Sequence, residues 1–131
     1  MIPTLPRVEG VRIVIIRSAL LFGLLLFGGA TWFQHRGGHP VPVPADQART
    51  YGYVFAGLAI TATAMLFILR TRLERATDAK QQVALYLIGY AIAEGAALFG
   101  GATWFIGGDV NAYMGGLILM VAAFQILPVK K

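Results

Sequence analysis

Charged residues divide the chain into four long apolar runs. Three runs contain no Asp, Glu, Lys or Arg, and they lie between Arg17 and Arg36, between Arg49 and Arg70, and between Asp109 and Lys130. The fourth run, residues 81–108, contains one charged residue, Glu94. The runs have 18 to 28 residues, so each is long enough for a helix that crosses a bilayer, which takes about 20 apolar residues. The pattern therefore predicts an all-α membrane protein with four transmembrane helices.

Composition and charge favour the same class of protein. Of the 131 residues, 57% are hydrophobic and only 13% are charged, which is too little polar surface for an ordinary soluble domain. A net charge of +5 would suggest a nucleic-acid partner for a soluble protein. Here, however, every basic residue except Arg36 and Arg49 lies near a terminus or between residues 70 and 80. The positive-inside rule therefore predicts that both termini and this second connection are cytoplasmic, and nucleic acid is not expected as a partner.

The octapeptide LFGGATWF occurs twice, at residues 26–33 and 98–105, a shift of 72 residues. The simplest explanation is a tandem duplication of a helical hairpin, which gives two parallel repeats. We expect a single membrane domain, 1–131, with repeat one at 11–69, a cytoplasmic loop at 70–81 and repeat two at 82–128. The alternative is shared composition at the outer membrane surface, where aromatic residues are common.

Glu94 is the main candidate for a functional residue. It lies near the middle of the third run, where desolvation disfavours an ionised carboxylate. A neutral or readily protonated carboxyl group there has the property that proton binding requires. The structural alternative is a protonated Glu94 with a hydrogen bond to a neighbouring group, or a buried ion pair between Glu94 and Arg17. Arg17 otherwise extends to the headgroups or points inward to another partner.

Two tyrosines share a helix face with Glu94. Counting back in steps of four residues gives Tyr90, Tyr86 and Gln82, so these side chains form a slanted polar stripe that ends at the carboxylate. Such a stripe could conduct protons to an ion-binding site formed by Glu94, Tyr90 and Tyr86. The alternative is that each tyrosine packs as a large apolar side chain whose hydroxyl is satisfied locally.

Other kinds of chemistry have little support in the sequence. The chain has no cysteine, which excludes disulfides and thiolate metal sites. His35 and His39 lie in a Gly- and Pro-rich loop without a nearby set of carboxylates, so a solvated loop is favoured over a metal site. No nucleophile and base pattern or phosphate loop is present. We expect no catalytic residues, no metal and no cofactor.

The segment AIAEGAALFG resembles the proteolipid family, the c subunits of F-type and V-type ATP synthases. Their carboxylate-bearing helix often reads A-x-x-E-A-x-x-x-[YF]-G. The charged segment RTRLERATDAKQQ before it is similar to the polar cytoplasmic loop of that family. The resemblance implies that Glu94 corresponds to the ion-binding carboxylate, and that the chain works with other membrane subunits or as a homo-oligomer.

Three functions remain open at this point. The first is a proteolipid-like membrane subunit in which Glu94 binds and releases protons within a larger complex. The second is an accessory or scaffolding subunit in which Glu94 only supports helix packing. The third is a small-molecule carrier built from parallel repeats. In each case the partners are the lipid bilayer and other membrane proteins.

The first prediction concerns topology. A reporter protein fused after Lys131 is expected in the cytoplasm, and one inserted at Gly38 is expected on the opposite side of the membrane, because basic residues are retained on the cytoplasmic side. Activity of paired reporters, one active only inside the cell and one only outside, measures this. A cytoplasmic reporter at Gly38 would contradict the four-span topology.

Overall fold

The computed structural model describes residues 2–36, 44–107 and 110–129. Over these residues the chain forms four helices and no strands. The helices are α1 (Arg7–Arg36), α2 (Ala45–Arg75), α3 (Ala79–Gly107) and α4 (Val110–Ile126). The predicted all-helical fold with four helices is confirmed.

Three of the helices are long and apolar enough to cross a membrane. These candidate spans are Arg7–Gln34, Arg49–Arg75 and Ala79–Ile106, and each has 27 or 28 residues. α4 has 17 residues, which corresponds to about 26 Å at a rise of 1.5 Å per residue. It is therefore at the lower limit of length for a transmembrane helix.

Prolines mark three of the helix ends. α1 begins directly after Pro6, whose carbonyl accepts the first helical hydrogen bond from Gly10 N at 2.9 Å. α2 begins after Pro44, which has an extended conformation (φ −53°, ψ 143°). α4 ends just before Leu127, because a residue that precedes a proline, here Pro128, disfavours the helical conformation.

The predicted cytoplasmic loop at 70–81 is mostly helical. α2 continues to Arg75 and α3 begins at Ala79, so only residues 76–78 lie outside a helix. Within the extended part of α2, Arg70 Nε lies 3.5 Å from Glu74 Oε1, an ion pair at the i, i+4 spacing that stabilises helices. The charged segment is therefore a helical extension joined to α3 by a short connection.

α3 and α4 form the closely packed centre of the bundle. A Cβ atom on Gly100 would lie 2.5 Å from the carbonyl oxygen of Ala112, and one on Gly116 would lie 2.9 Å from the Cα of Ala97. Only glycine permits the two backbones to approach this closely at both points. α1 and α2 each contact both α3 and α4 but, over the described residues, do not contact each other.

The two copies of LFGGATWF lie side by side at the ends of α1 and α3. Phe27 of the first copy packs against Gly101 of the second, and the rings of Phe27 and Phe105 are 6.5 Å apart. The copies differ in their surroundings, since Trp32 is 54% exposed and its counterpart Trp104 only 7%. Identical sequence thus occupies a peripheral helix in one case and the central helix in the other.

The tandem hairpin repeat is not confirmed by this packing. α3 and α4 are in close contact, whereas α1 and α2 are not in contact over the described residues. The sequence explains this difference between the two halves. At the repeat distance of 72 residues, the positions that correspond to Ala112 and Gly116 are Pro40 and Pro44. These prolines precede α2, so the first half has no counterpart of the small-residue surface of α4.

The second prediction tests the packing of α3 against α4. Gly100→Ala should destabilise the bundle by about 1–3 kcal/mol, because the new methyl group meets backbone atoms that cannot easily move. Gly57→Ala is the matched control, since a Cβ there meets no described atom within 4 Å. Thermal unfolding in detergent micelles measures both. Equal effects of the two substitutions would contradict the proposed role of Gly100.

Candidate functional site

Glu94 lies midway along α3, at the boundary between its buried and its exposed face. Its neighbours on one side of the helix, Tyr90 and Ala97, are fully buried, whereas Leu87 and Leu98 on the other side are 36% and 40% exposed. The side chain of Glu94 is accordingly only partly buried. One of its oxygens, Oε2, is inaccessible and has no hydrogen-bond partner among the described residues. A buried polar atom without a partner is costly and therefore unusual in a folded protein.

Tyr86 and Tyr90 are fully buried between α3 and the end of α4. Their rings are 6.0 Å apart, and the ring of Tyr90 meets that of Phe124 edge to face at 5.4 Å. The Tyr90 hydroxyl donates to the carbonyl oxygen of Leu127 at 2.6 Å, and the Tyr86 hydroxyl donates to that of Pro128 at 2.7 Å. Neither hydroxyl donates to Glu94.

A third side chain completes this arrangement. Arg70 of α2 donates from Nη1 to the carbonyl oxygen of Ile126 at 2.9 Å. Three consecutive carbonyl groups at the end of α4, those of residues 126 to 128, thus accept hydrogen bonds from side chains of α2 and α3. The last carbonyls of a helix have no partner within the helix, so these bonds satisfy groups that would otherwise require water. We call Arg70, Tyr86 and Tyr90 the carbonyl anchors of α4.

Arg17 packs against α4 and does not pair with Glu94. Its guanidinium carbon lies 5.3 Å from the ring centre of Phe124, a distance typical of a cation–π contact. The guanidinium is also close enough to the Tyr90 hydroxyl to interact with it electrostatically. Arg17 and Glu94 are both described and form no ion pair with each other. The structure therefore brings Arg17 together with Tyr90, but not with the carboxylate.

The polar stripe predicted from the sequence is present as a helix face. Gln82, like both tyrosines, is buried, with 4% of its surface exposed. The spacing correctly placed these residues on one side of α3. It did not reveal that the tyrosine hydroxyls bind carbonyls 37 and 42 residues further along the chain. Pro128, which marks the end of α4, was the only signal of unsatisfied carbonyl groups there.

A further tyrosine was missed by the sequence analysis. Tyr113, near the start of α4, donates its hydroxyl to the carbonyl oxygen of Leu24 in α1 at 2.8 Å. It fits there because Gly28 has no side chain to occupy the same space. Its ring lies 5.0 Å from that of Trp104. Tyr113 therefore ties α1 to the central pair at the end of the bundle opposite the carbonyl anchors.

No group of three or more His, Cys, Asp and Glu side chains comes together within the described ranges. Of the two histidines considered above, His39 and the side chain of His35 lie outside the described residues.

A groove runs between α2 and α3, beside the face that carries Glu94. It has a volume of about 330 Å³ and is lined by residues between Leu58 and Met65 on α2 and between Ala91 and Phe99 on α3. Glu94 does not line it, and Thr61 is its one hydroxyl-bearing residue among the described side chains. The groove is thus apolar and lacks the convergent polar groups that orient a small substrate.

Comparison of the chain with protein families, with curated proteins and with solved structures finds no match.

The third prediction separates the two interpretations of the tyrosines. Tyr90→Phe should lower the free energy of unfolding by about 1–3 kcal/mol, because it leaves the buried Leu127 carbonyl without its donor. Tyr53→Phe is the control, since Tyr53 is 71% exposed on α2. Unfolding of both variants in detergent gives the difference. An unchanged stability of Tyr90→Phe would contradict the anchoring role.

Proposed function

We propose that the chain is a small integral membrane protein in which α1, α2 and α3 cross the bilayer and the shorter α4, packed against α3, crosses with them. Support comes from the length and apolar character of the three candidate spans. Further support comes from the large apolar side chains exposed on α1 and α2, such as Phe22, Phe33, Ile60 and Phe67. Such side chains are unfavourable in water but suit contact with lipid.

We further propose that Glu94 binds and releases a proton within the membrane. The observation that carries this proposal is the buried Oε2 atom, which has no partner among the described residues. A buried oxygen without a partner raises the free energy of an ionised carboxylate, and protonation removes most of that unfavourable free energy. The partial exposure of the residue leaves its side chain accessible from the flank of the bundle.

This site is best suited to a subunit of a larger membrane complex. In the proposed function a neighbouring subunit, or a second copy of this chain, supplies the polar group that exchanges the proton with Glu94. The resemblance of AIAEGAALFG to the carboxylate helix of proteolipid subunits supports the same assignment. A complete pathway within one chain has less support, because the hydroxyls of Tyr86 and Tyr90 donate to the carbonyls of α4.

The second candidate is an accessory or scaffolding subunit in which Glu94 only contributes to packing. The carbonyl anchors favour it, since they give the tyrosine stripe a purely structural role. Under this alternative, Glu94 completes a hydrogen bond with a partner subunit and never changes its protonation state.

The fourth prediction concerns Glu94→Gln, which keeps the shape of the side chain but cannot release a proton. A proton-binding role predicts loss of proton uptake in vesicles reconstituted with the chain and the membrane subunits that copurify with it, with unchanged helical content and unchanged assembly. Glu9→Gln is the control, because it removes a carboxylate near the start of α1, away from the middle of α3. A pH-sensitive dye inside the vesicles measures uptake. A packing role predicts that Glu94→Gln leaves proton uptake and assembly unchanged.

Labelling with an apolar carbodiimide provides an independent measurement. The reagent reacts with protonated carboxyl groups, so modification of Glu94 should be strong at low pH and fall as the pH rises. Mass spectrometry locates the label, and Glu94→Gln should abolish it. A Glu94 that stays unlabelled at every pH in folded protein would refute the proton-binding proposal.

A further inference from the structure

Arg17 is a cation within the apolar part of α1. It is the eleventh residue of the helix, and the two residues before it, Ile15 and Ile16, are 61% and 39% exposed on the outside of the bundle. Eleven residues of helix correspond to about 17 Å, which puts Arg17 below the first turns that carry Arg7 and Arg12. A charge at this depth in a bilayer needs compensation.

The protein itself compensates this charge only in part. Arg17 stacks over Phe124 and lies near the Tyr90 hydroxyl, but both of these groups are neutral. The hydrogen of that hydroxyl is already donated to Leu127. Arg17 forms no ion pair with a carboxylate among the described residues, Glu94 included. The guanidinium can donate several hydrogen bonds in one plane and uses few of them here.

The surroundings of Arg17 favour an anion that arrives from the lipid. Arg7 and Arg12, which are both exposed, lie in the first two turns of the same helix, at the start of the first candidate span. Arg17 and Phe124 are both only partly buried, so their contact between α1 and α4 is reached from outside the bundle. Basic side chains between helices, toward the cytoplasmic side of a membrane, suit phosphate headgroups.

We propose that Arg17 binds the phosphate of an anionic phospholipid at the edge between α1 and α4. The guanidinium would donate two parallel hydrogen bonds to the phosphate oxygens, a geometry that arginine provides and lysine does not. Arg7 and Arg12, earlier in the same helix, would repel the ammonium of a zwitterionic headgroup and so add to the preference for an anionic one. This inference rests on the proposed membrane location of the chain.

The fifth prediction compares lipid binding by the full chain and by two variants that each lose one arginine. The protein is purified in a neutral detergent and mixed with equal amounts of phosphatidylglycerol and phosphatidylcholine, and native mass spectrometry counts the retained lipids. The wild-type chain should retain phosphatidylglycerol about tenfold or more over phosphatidylcholine, as expected for a charge-assisted hydrogen-bonded pair. Arg17→Gln should lose this preference. Arg72→Gln, which removes an exposed arginine from α2, should keep it.

Two further measurements keep the test decisive. Arg17→Lys retains the positive charge but cannot donate two parallel hydrogen bonds, so it should show a weaker preference for phosphatidylglycerol than the wild-type chain. This comparison separates the hydrogen-bond geometry from the charge, and it remains available if Arg17→Gln folds poorly. Soluble glycerol phosphate should not displace the lipid, because the site is reached from the bilayer; displacement would point to a site for a free phosphate instead. No lipid preference in the wild-type chain, or equal losses in Arg17→Gln and Arg72→Gln, would overturn the proposal.

Membrane insertion is measured separately, by extraction of vesicles at high pH. A chain that is extracted would contradict the proposed membrane location itself. A chain that stays in the vesicles but shows no preference for phosphatidylglycerol would contradict only the role of Arg17. The two failures are therefore distinguishable.

Discussion

The close approach of α3 and α4 is the contact on which the rest of the bundle depends. Within a bilayer, apolar side chains gain little by leaving lipid for protein, so helices associate mainly through close packing and hydrogen bonds. Gly100 and Gly116 have no side chains, so the backbones of α3 and α4 can approach closely at two points. α1 and α2 then pack against the resulting pair and not against each other over the described residues. The central pair thus organises the two outer helices.

The carbonyl anchors donate hydrogen bonds to backbone carbonyls that the end of the short fourth helix leaves without partners. Backbone carbonyls at a helix end must find donors, and in or near an apolar environment water cannot be relied upon to supply them. α4 ends at Ile126, and Arg70, Tyr86 and Tyr90 satisfy the carbonyls of residues 126 to 128. Because one donor comes from α2 and two from α3, the same bonds also hold these three helices in register.

The number and location of the helices could be read from the charge-free runs, but their arrangement could not. A helix that is apolar all round has no polar face to show which side is buried, so hydrophobicity does not predict its neighbours. The repeated octapeptide suggested that α1 and α2 pack as α3 and α4 do, yet the matching identity stops before α2. For the site, helical spacing correctly grouped Tyr86 and Tyr90, while their partners on α4 depend on tertiary structure that spacing does not encode.

The absence of an ion pair between Arg17 and Glu94 bears directly on the proposed chemistry. Had these side chains formed an ion pair, the arginine would stabilise the ionised carboxylate and oppose its protonation. In the structure, Phe124 and Tyr90 hold the guanidinium instead, and Tyr90 is itself fixed by its bond to Leu127. An anchor at the end of α4 therefore also determines where the cation lies. If Glu94 binds a proton as proposed, no ion pair with Arg17 opposes that protonation, because the packing of the helices holds the guanidinium against Phe124.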